Sequence, residues 1–379
     1  MFVTKTSDLR VLHVIPSLHP GLGGPSVSCP SLASAQAELC ASVGLLAYDL
    51  SESALNRLTL PNWDRVHLHS IAVDPLERLT GIRARQVINS LLGCYDVVHI
   101  HGVWTPMLAQ VCRAARDSGL PYVVSPRGML DPWSLAQKPV RKRLSFALAW
   151  ADILTHAHFL HALTEIEAEN LSRLRLGVRI QIAQNGIFRE TILRLRSMPG
   201  SEYSARYGRY ILFMSRLHYK KGLDYLIDGF AEYVRLGGEC NLVIAGPDEG
   251  QGQKISAQVR CLALHNRIIS IGPIYGDEKF RLLNGAQAFC LPSRQEGFSM
   301  AVIEAMAMGV PVVISKHCNF PRVAEMKAGY VVELDPVEIG QALLAAADSN
   351  SKTGDRGARL IESEYSWDSV APKLLSAYL

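Results

Sequence analysis

The sequence predicts an α/β protein made of two doubly wound domains, each with a parallel sheet covered by helices. Three observations predict this fold. Short apolar runs alternate with stretches whose apolar residues recur at helical spacing, which is the pattern of parallel strands joined by helices. This alternation occurs twice along the chain, interrupted by a polar, arginine-rich stretch at 189–209. A length of 379 residues also exceeds what one hydrophobic core usually serves.

The first half of the chain carries seven predicted strands. A glycine-rich loop follows the first of them, and helices are predicted from there to about Cys40, at 105–118 and at 140–155. Thr164 and Glu167 have capping-box spacing and open a further helix that ends near Gly177. The predicted strands lie at 11–16, 43–48, 65–70, 96–100, 121–125, 159–163 and 179–183.

The second half repeats the pattern after the stretch 189–209, which we interpret as a linker. Leu223, Leu226, Ile227, Phe230 and Val234 follow its first strand at helical spacing. We therefore predict a first domain over 1–190 and a second over 205–364, with ligands at the carboxyl ends of the strands and facing a central cleft. The predicted strands lie at 210–214, 241–245, 267–271, 287–291, 311–315 and 330–334.

Composition excludes several classes of protein. A hydrophobic content of 48% with 20% charged residues is typical of a soluble globular protein, and a net charge of +4 does not indicate a nucleic-acid binder. The eight cysteines show no Cys-x-x-Cys spacing, so we expect reduced thiols in a cytoplasmic protein. No signal peptide is visible, and the longest apolar stretch, 144–163, contains Asp152 and three histidines. That stretch is too polar to span a bilayer.

Two glutamates in the run 293–304 carry the strongest functional signal. Glu296 follows a buried-looking strand, and Glu304 lies eight residues later inside a helix that Gly309 and Pro311 end. Gly297, Phe298 and Ser299 then offer free backbone N–H groups at the start of that helix. Such a place binds anions and hydroxyl-rich ligands.

Arg216 and Lys221 follow the first strand of the second half, in a strand-to-helix loop. Two cations there can grip one diphosphate, the arginine through a bidentate fork and the lysine as a point charge. When a glycosyl bond to a nucleoside diphosphate breaks, the leaving group gains negative charge, which fixed cations stabilise. The sequence therefore predicts a diphosphate site at this loop.

Two histidines end the strand at 96–100. His99 and His101 share one face of that strand because side chains alternate along it. We expect His101, the last residue before Gly102, to reach the ligand site and His99 to be a satisfied strand histidine. A His-x-His pair can bind a metal ion, but the sequence places no third ligand nearby, and we expect no metal.

The loop Gly21-Leu22-Gly23-Gly24-Pro25 lets the backbone approach a phosphate or sugar. A glycine loop after a first strand is weak evidence alone, because dehydrogenases use one for dinucleotides. The spacing here is Gly-x-Gly-Gly-Pro rather than Gly-x-Gly-x-x-Gly.

Taken in order, these motifs resemble the retaining glycosyltransferases of family 4, of the bacterial envelope and exopolysaccharide type. The resemblance covers nearly the whole chain and includes the Arg-Gly-Met-Leu segment that starts at Arg127. It implies the GT-B fold, in which the terminal helix, here 365–379, returns to the first, acceptor-binding domain while the second domain binds the nucleotide sugar.

The resemblance also implies roles for single residues. His101 contacts the donor sugar, Glu296 with the amides of Phe298, Ser299 and Met300 holds the hexose, and Glu304 bonds the ribose hydroxyls. Arg127 and Asp131 contact donor or acceptor, or form a salt bridge with each other. The remaining donor-binding positions are Gly23, Gly24, Asn185, Gly246, Pro273, Ile274 and Gly297.

The reaction implied is transfer of a hexose, first of all glucose from UDP-glucose, to a saccharide or lipid-linked saccharide in envelope polysaccharide synthesis. No residue stands out as a covalent nucleophile, so the departing phosphate is expected to help deprotonate the acceptor hydroxyl. The chain has no Asp-x-Asp, which does not support a metal-dependent site. Arg216 and Lys221 are expected to replace the metal, with no other cofactor.

Three other functions stay open. A non-hydrolysing sugar-nucleotide epimerase shares the fold and needs no acceptor. A nicotinamide dehydrogenase requires an aspartate or glutamate about twenty residues after the glycine loop, where it bonds the ribose. Glu38 falls within a helix and Asp49 comes late for that role. A two-lobed sugar-binding protein is the non-enzymatic alternative, and it normally carries an export signal.

A basic cluster at Lys138, Arg141, Lys142 and Arg143 precedes an apolar helical stretch. Basic side chains beside an apolar face can hold a domain on anionic lipid. The same stripe can equally face the core, and the sequence leaves both interpretations open. The apolar face consists of Val140, Leu144, Ala147, Leu148 and Ala151.

Overall fold

A computed structural model describes residues 5–19, 24–48, 50, 60–348 and 352–379. The chain divides into two compact units, each with its own parallel sheet. Unit 1 comprises Met1–Phe188 together with Trp367–Leu379, and unit 2 comprises Arg189–Ser366.

Unit 1 contains a sheet of seven parallel strands in the order β3-β2-β1-β4-β5-β6-β7. The strand order reverses between β1 and β4, which places the topological switch point of a doubly wound sheet at the carboxyl ends of these two strands. The strands are β1 Arg10–Val14, β2 Ser42–Tyr48, β3 Val66–Ile71, β4 Val97–His101, β5 Tyr122–Ser125, β6 Phe159–Ala162 and β7 Ile180–Ile182.

Alternating strand residues of unit 1 are buried on opposite faces of the sheet. Val11 packs with α1 and α18, whereas its neighbour Leu12 packs with α3, α4 and α7. Both faces are therefore covered, which explains why the buried residues of the central strands β1 and β4 are apolar apart from their histidines. The helices are α1 Pro25–Ala37, α2 Pro75–Thr80, α3 Ile82–Leu91, α4 Pro106–Asp117, α5 Pro132–Ala136, α6 Pro139–Ser145, α7 Ala151–Thr155, α8 Glu165–Ser172 and the C-terminal α18 Trp367–Tyr378.

Unit 2 contains six parallel strands in the order β10-β9-β8-β11-β12-β13, with the reversal between β8 and β11. The strands are β8 Tyr210–Met214, β9 Asn241–Ala245, β10 Ile268–Gly272, β11 Ala288–Leu291, β12 Val312–Ser315 and β13 Gly329–Val332. The helices are α9 Arg189–Arg196, α10 Ser201–Tyr207, α11 Leu223–Arg235, α12 Gly252–Cys261, α13 Glu278–Asn284, α14 Met300–Ala307, α15 Arg322–Glu325, α16 Pro336–Ala347 and α17 Lys352–Glu364.

The predicted fold class is confirmed, and each predicted strand is present within a few residues. The helix predicted at 140–155 is divided, because the π-helical turn Phe146–Trp150 separates α6 from α7. None of the helices that the structure describes is long and apolar enough to cross a membrane.

The stretch 189–209 is not the linker that the sequence suggested. It forms α9 and α10 of unit 2, because Ile192 and Leu195 are fully buried and anchor α9. Three of the five arginines that gave the stretch its polar character form ion pairs within the unit. Arg194 pairs with Asp277 at 2.7 Å, and Arg196 pairs with Glu362 at 2.6 Å.

Candidate functional site

The residues singled out by sequence lie at the carboxyl edges of the two sheets. In unit 2, Arg216 and Lys221 follow β8 and Glu296 follows β11, so they flank the switch point of that sheet. In unit 1, His101 ends β4 next to β1, which is the corresponding position. Open α/β sheets bind their ligands at such points.

Lys221 and Glu296 form a buried ion pair in unit 2. The Lys221 Nζ lies 2.6 Å from Glu296 Oε1, and the two side chains are only 12% and 8% exposed. Ser293 Oγ donates to the same carboxylate oxygen at 2.6 Å. Burial alone would raise the pKa of Glu296, but Lys221 and the hydrogen bonds from Lys221 and Ser293 outweigh it and lower that pKa. The carboxylate is therefore ionised and held in one place.

A glycine allows the two loops to come together. Gly222 has φ +66°, and a Cβ at this position would lie 1.8 Å from the carbonyl oxygen of Pro292. The Arg294 side chain then fastens the loop after β11 to the start of α11 by bonding both carboxylate oxygens of Asp224. Any other residue at position 222 would separate Lys221 from Glu296.

Arg216 and Lys221 contact different carboxylates of the protein. Its Nη1 donates to both carboxylate oxygens of Glu249, at 2.9 and 3.0 Å. This pair is partly solvent-exposed, at 40% for Arg216 and 32% for Glu249. Glu249 belongs to the loop after β9 that begins at Gly246. The two cations predicted to grip one diphosphate thus rest on separate carboxylates.

Glu304 lies in α14 and is nearly buried. Its Oε1 accepts from the Lys279 ammonium at 2.5 Å. Ser299 is the N-cap residue of α14, without a side-chain cap, and Met300 is the first helical residue. Gly297 and Phe298 come immediately before, and the Phe298 ring packs against Phe320 and Tyr365 at centroid distances of 6.1 Å. No acidic residue lies in the first turn, so the positive end of the helix is left uncompensated.

Two other predicted donor positions follow β10. Pro273 and Ile274 line an open cavity whose lining also includes Tyr203 and Arg206 of α10. The helix that replaces the supposed linker therefore contributes to this part of unit 2. Gly246 follows β9 with φ +151°, and a Cβ there would lie 1.8 Å from the Ser215 carbonyl oxygen. It permits the close approach of the loops that carry Arg216 and Glu249.

In unit 1, His101 is 1% exposed, and both of its ring nitrogens have protein partners. Its Nδ1 faces the Arg127 guanidinium at 2.7 Å, and its Nε2 faces His13 Nδ1 at 2.9 Å. From the sequence we expected the His101 imidazole to reach the ligand site. The structure instead places Arg127 in front of it, because Arg127 follows the neighbouring strand β5.

The other unit 1 candidates are partly assembled around Arg127. Its Nη1 donates to Asn185 Oδ1 at 3.2 Å and to Ser28 Oγ at 2.9 Å. Asp131 accepts from Asn170 at 3.2 Å and stands at the N-cap position of α5. Gly24 is the N-cap residue of α1, whereas Gly23 lies outside the described residues.

Sequence reasoning missed several residues of these groups. It noted no third imidazole beside His99 and His101, yet His13 pairs in register with His99 across β1 and β4. A polar residue inside the apolar run 11–15 was the available signal. It also missed Glu249 and Lys279, which only tertiary contacts bring to the predicted residues, and Ser293, which lies three residues before Glu296.

Comparison with known proteins gives two matching families. A family model described as glycosyl transferases group 1 matches residues 208–349. A second, described as a glycosyl transferase 4-like domain, matches residues 23–186. Together they span most of both units, each family model falling within one of them.

Relatives and solved structures agree with these matches. The GDP-mannose:cellobiosyl-diphosphopolyprenol alpha-mannosyltransferase of Xanthomonas oryzae is 24% identical, over 98% of this chain and 96% of its own. The D-inositol 3-phosphate glycosyltransferase of Segniliparus rotundus is also 24% identical, over 84% and 77%.

Among solved structures, Anabaena HepE in complex with UDP-glucose superposes with a TM-score of 0.76 at 18% identity, covering 97% of this chain and 98% of that one. Sucrose-phosphate synthase from Thermosynechococcus elongatus gives a TM-score of 0.74 at 16% identity, with 97% and 98% covered. These likenesses show the fold. The two family matches, one in each unit, show that the chain belongs to the glycosyltransferases of the family 4 type, which have the GT-B fold.

Proposed function

We propose that this protein transfers a hexose from a nucleoside diphosphate sugar to a saccharide or lipid-linked saccharide, with retention of the anomeric configuration and without a metal ion. Unit 2 binds the nucleotide sugar and unit 1 binds the acceptor. The observation that carries the proposal is the Lys221–Glu296 pair, which places a cation and an ionised carboxylate side by side at the switch point of unit 2.

The chemistry follows from the two charges. Lys221, joined by Arg216, stabilises the negative charge that develops on the leaving diphosphate. The Glu296 carboxylate accepts hydrogen bonds from hexose hydroxyls and keeps Lys221 in place when no substrate is bound. The uncapped start of α14, at Ser299 and Met300, adds backbone donors for the sugar. Protein cations thereby do the work that a metal ion does in other transferases, and the departing phosphate oxygen takes the acceptor proton.

The donor we favour is UDP-glucose. The solved structure of HepE contains UDP-glucose, which supports a uridine nucleotide and a glucosyl group. GDP-mannose is the second candidate, because the Xanthomonas relative that aligns over almost the whole chain is named for that donor. The same name specifies a diphosphopolyprenol-linked acceptor, which supports a lipid-linked acceptor in envelope polysaccharide synthesis.

One experiment tests donor, stereochemistry and metal together. The purified protein is incubated with lipid-linked disaccharide and, separately, UDP-glucose, UDP-N-acetylglucosamine, UDP-galactose or GDP-mannose, with and without excess EDTA. We expect one donor to give a product whose one-bond C1–H1 coupling is that of an α-anomer. The rate of transfer should be the same with and without EDTA. An inverted anomer, or activity that only manganese or magnesium restores, contradicts the mechanism. Interconversion of the nucleotide sugar without any transfer indicates the epimerase, and binding without turnover the sugar-binding protein.

The protein also docks on anionic membranes in this proposal, through α6 and the turn that follows it. Val140, Leu144 and Leu148 are exposed to 78%, 59% and 74%, so the apolar stripe faces outward from unit 1. Exposed basic side chains accompany it at Lys138, Arg141 and Arg143. This combination suits a bilayer with anionic headgroups.

Lys142 differs from the rest of the basic cluster. Its Nζ donates to the Ser134 carbonyl at 2.5 Å and lies 5.9 Å from the centre of the Trp104 ring. Burial, followed by the charge of Lys138, lowers its pKa. We therefore assign Lys142 to the folding of unit 1, and the lipid contact to Lys138, Arg141 and Arg143.

A further inference from the structure

A series of polar groups in unit 1, most of them buried, forms one continuous chain of hydrogen bonds. Four of its members are histidines that project from β1, β4 and β6, and the C-terminal helix α18 supplies a tyrosine in the middle. The successive contacts are Arg127 Nη2 to His101 Nδ1 (2.7 Å), His101 Nε2 to His13 Nδ1 (2.9 Å), His13 Nε2 to Gln36 Oε1 (2.9 Å), Gln36 Nε2 to Tyr378 OH (3.4 Å), Tyr378 OH to His99 Nδ1 (2.6 Å), His99 Nε2 to His161 Nδ1 (3.2 Å) and His161 Nε2 to Ala183 O (2.7 Å).

The two ends of the chain determine the position of every proton in it. A guanidinium only donates, so His101 Nδ1 is an acceptor and its Nε2 carries the proton. The Ala183 carbonyl only accepts, so the Nε2 of His161 carries a proton. Burial lowers the pKa of His161 to about 3, so this ring is neutral and its Nδ1 accepts from His99. The two halves meet at the Tyr378 hydroxyl, which accepts from Gln36 and donates to its neighbour. All four imidazoles are therefore neutral Nε2–H tautomers.

The same geometry argues against a metal ion at the histidines. One nitrogen from each of His13, His99 and His101 lies within 4.8 Å of the other two. To bind a metal through Nε2, however, His101 would have to carry its proton on Nδ1. That proton would point at the N–H groups of Arg127, and two donors would face each other. The donor set fits a hydrogen-bond chain and not a metal centre.

The chain holds Arg127 without cancelling its charge. Within the described part of the chain the guanidinium donates only to neutral acceptors, namely His101, Ser28 and Asn185. Among the residues that the structure describes, no carboxylate forms an ion pair with it. Glu167 acts on it electrostatically, but its two oxygens accept the backbone N–H groups of Gly128 and Leu163 at 2.6 and 2.7 Å. Arg127 is half-buried, and a cation that is partly removed from water and held only by neutral groups is stabilised when an anionic ligand completes the site.

Two further observations show that the position suits an anion. Ser28, which accepts from Arg127, lies in the first turn of α1, and that turn has neither an acidic residue nor a side-chain cap. The positive end of the helix dipole and the guanidinium therefore meet at one place. Arg127 also has φ +54°, a left-handed backbone conformation that is unfavourable for arginine and that concentrates at functional sites.

We propose that Arg127 is an anion-binding residue of unit 1 and that its ligand is a phosphate or diphosphate ester carried by a substrate. The histidine chain is its support, since it presents a fixed neutral acceptor to the guanidinium. This inference rests on the proposed function for the identity of the substrates. The ester belongs either to a lipid-linked acceptor or to the nucleotide sugar, since both carry a diphosphate.

Nuclear magnetic resonance of the full chain with ¹⁵N-labelled histidine tests the inference directly, because the His101 ring reports on Arg127. Inorganic diphosphate is titrated into the wild type and into Lys221→Ala, which lacks a cation of unit 2. We expect a saturable shift of the His101 signals in both proteins. Arg127→Gln keeps an N–H donor for His101 but loses the charge. It should retain the four Nε2–H tautomers while binding diphosphate about tenfold more weakly or worse.

Two further probes identify the source of the phosphate. A shift caused by farnesyl diphosphate that persists in Lys221→Ala supports a lipid-linked acceptor, whereas a shift caused by UDP that weakens in Lys221→Ala supports the nucleotide. Arg127→Lys retains a charge, so it should respond more strongly than Arg127→Gln even if either variant is less stable. No saturable shift with any probe, or an equal shift in Arg127→Gln, overturns the inference. Sugar transfer is measured in a separate assay. Diphosphate binding at Arg127 can therefore be confirmed or excluded whether or not the protein transfers a sugar.

Discussion

The Lys221 ammonium and the Glu296 carboxylate lie 2.6 Å apart between two strand-end loops of unit 2, almost out of contact with solvent. Each charge stabilises the other, and Ser293 supplies a further hydrogen bond to Glu296. Removing one partner leaves a buried, uncompensated charge, which typically costs about 3–5 kcal/mol. Substitutions here therefore need a design that separates stability from catalysis.

Lys221→Ala should lower kcat/KM by about 30- to 1,000-fold, which corresponds to ~2–4 kcal/mol of lost transition-state stabilisation. Lys254→Ala, which removes an exposed lysine of the same unit, is the control and should remain near wild type. The double variant Lys221→Met with Glu296→Gln removes both charges, so it should recover stability towards denaturant while staying inactive. Recovery of activity in the double variant, or near-wild-type turnover in Lys221→Ala, would show that the pair is structural only.

The Glu249 carboxylate forms an ion pair with Arg216 and so competes with the diphosphate for its guanidinium. Glu249→Gln should therefore tighten the binding of UDP. The pair is partly exposed, and such pairs are worth about 0.2–1 kcal/mol. The gain should therefore reach at most about fivefold by isothermal titration calorimetry. Glu239→Gln, at an exposed position of the same unit, serves as the control. Weaker UDP binding in Glu249→Gln would mean that Glu249 positions Arg216 instead of competing for it.

Glu304 is expected to bond the ribose hydroxyls, and 2′-deoxy-UDP isolates that contact. The wild type should bind UDP more tightly than 2′-deoxy-UDP, and Glu304→Gln should reduce that preference. A hydrogen bond to a charged group contributes about 1.5–3 kcal/mol, so the preference should change by roughly tenfold or more. Lys279→Met tests whether the ammonium beside Glu304 orients it, since it should give a smaller loss of the same preference. An unchanged ratio in Glu304→Gln would remove the ribose role.

The strands could be predicted from sequence because most are short apolar runs, and burial on both faces produces such runs. The positions of Arg216, Lys221 and Glu296 at strand ends followed from the same pattern. Their partners did not, because Glu249 lies more than thirty residues from Arg216 and no local rule joins them. Only the crossing of the β8 and β9 loops, which Gly246 permits, brings the two together.

The histidine chain was beyond sequence reasoning for a related reason. His13 becomes a neighbour of His99 only when the strand order places β1 beside β4, and Tyr378 arrives from the other end of the chain. The supposed linker was misjudged because its arginines suggested solvent. The spacing of Ile192 and Leu195, three residues apart on one helical face, was the signal of a packed helix.

Acid should destabilise the folded protein through the buried histidines. Burial lowers the pKa of His13 to about 4, with Gln36 opposing and Arg127 adding to the effect, and lowers that of His161 to about 3. As pH falls below about 6.5, the unfolded chain binds protons that the folded chain does not. Stability that is full above pH 6.5 is therefore lost towards pH 4, by about 1.4 kcal/mol per pH unit for each histidine.

Urea unfolding measured between pH 7 and 4.5 checks this slope. His13→Gln should reduce the dependence of the unfolding free energy on pH by the contribution of one histidine. His265→Gln, at an exposed position, should leave that dependence unchanged. Equal slopes for His13→Gln and the wild type would show that His13 is not held neutral in the folded protein.

Membrane docking is tested by flotation with liposomes, because the apolar stripe of α6 is exposed and bordered by basic side chains. The wild type should float with anionic liposomes and remain behind with neutral ones, and high salt should weaken the effect. Replacing Arg141 and Arg143 by Ser should release the protein from anionic liposomes, since each basic residue near the surface contributes about 1 kcal/mol.

The matched control replaces two exposed basic residues of unit 2, Lys254 and Arg260, by Ser, which removes the same charge from the whole protein. If net charge alone drives flotation, both double variants should lose binding equally, and the specific surface is excluded. Changing Leu148 to Ser tests the apolar part, because its 74% exposure means that the substitution removes little packing energy from the fold. Flotation that survives both Leu148→Ser and the Arg141 and Arg143 changes would place the lipid contact elsewhere on the protein. If Leu148→Ser and the double variant at Arg141 and Arg143 both lose flotation but still transfer sugar to a water-soluble acceptor, α6 serves docking and not the chemistry.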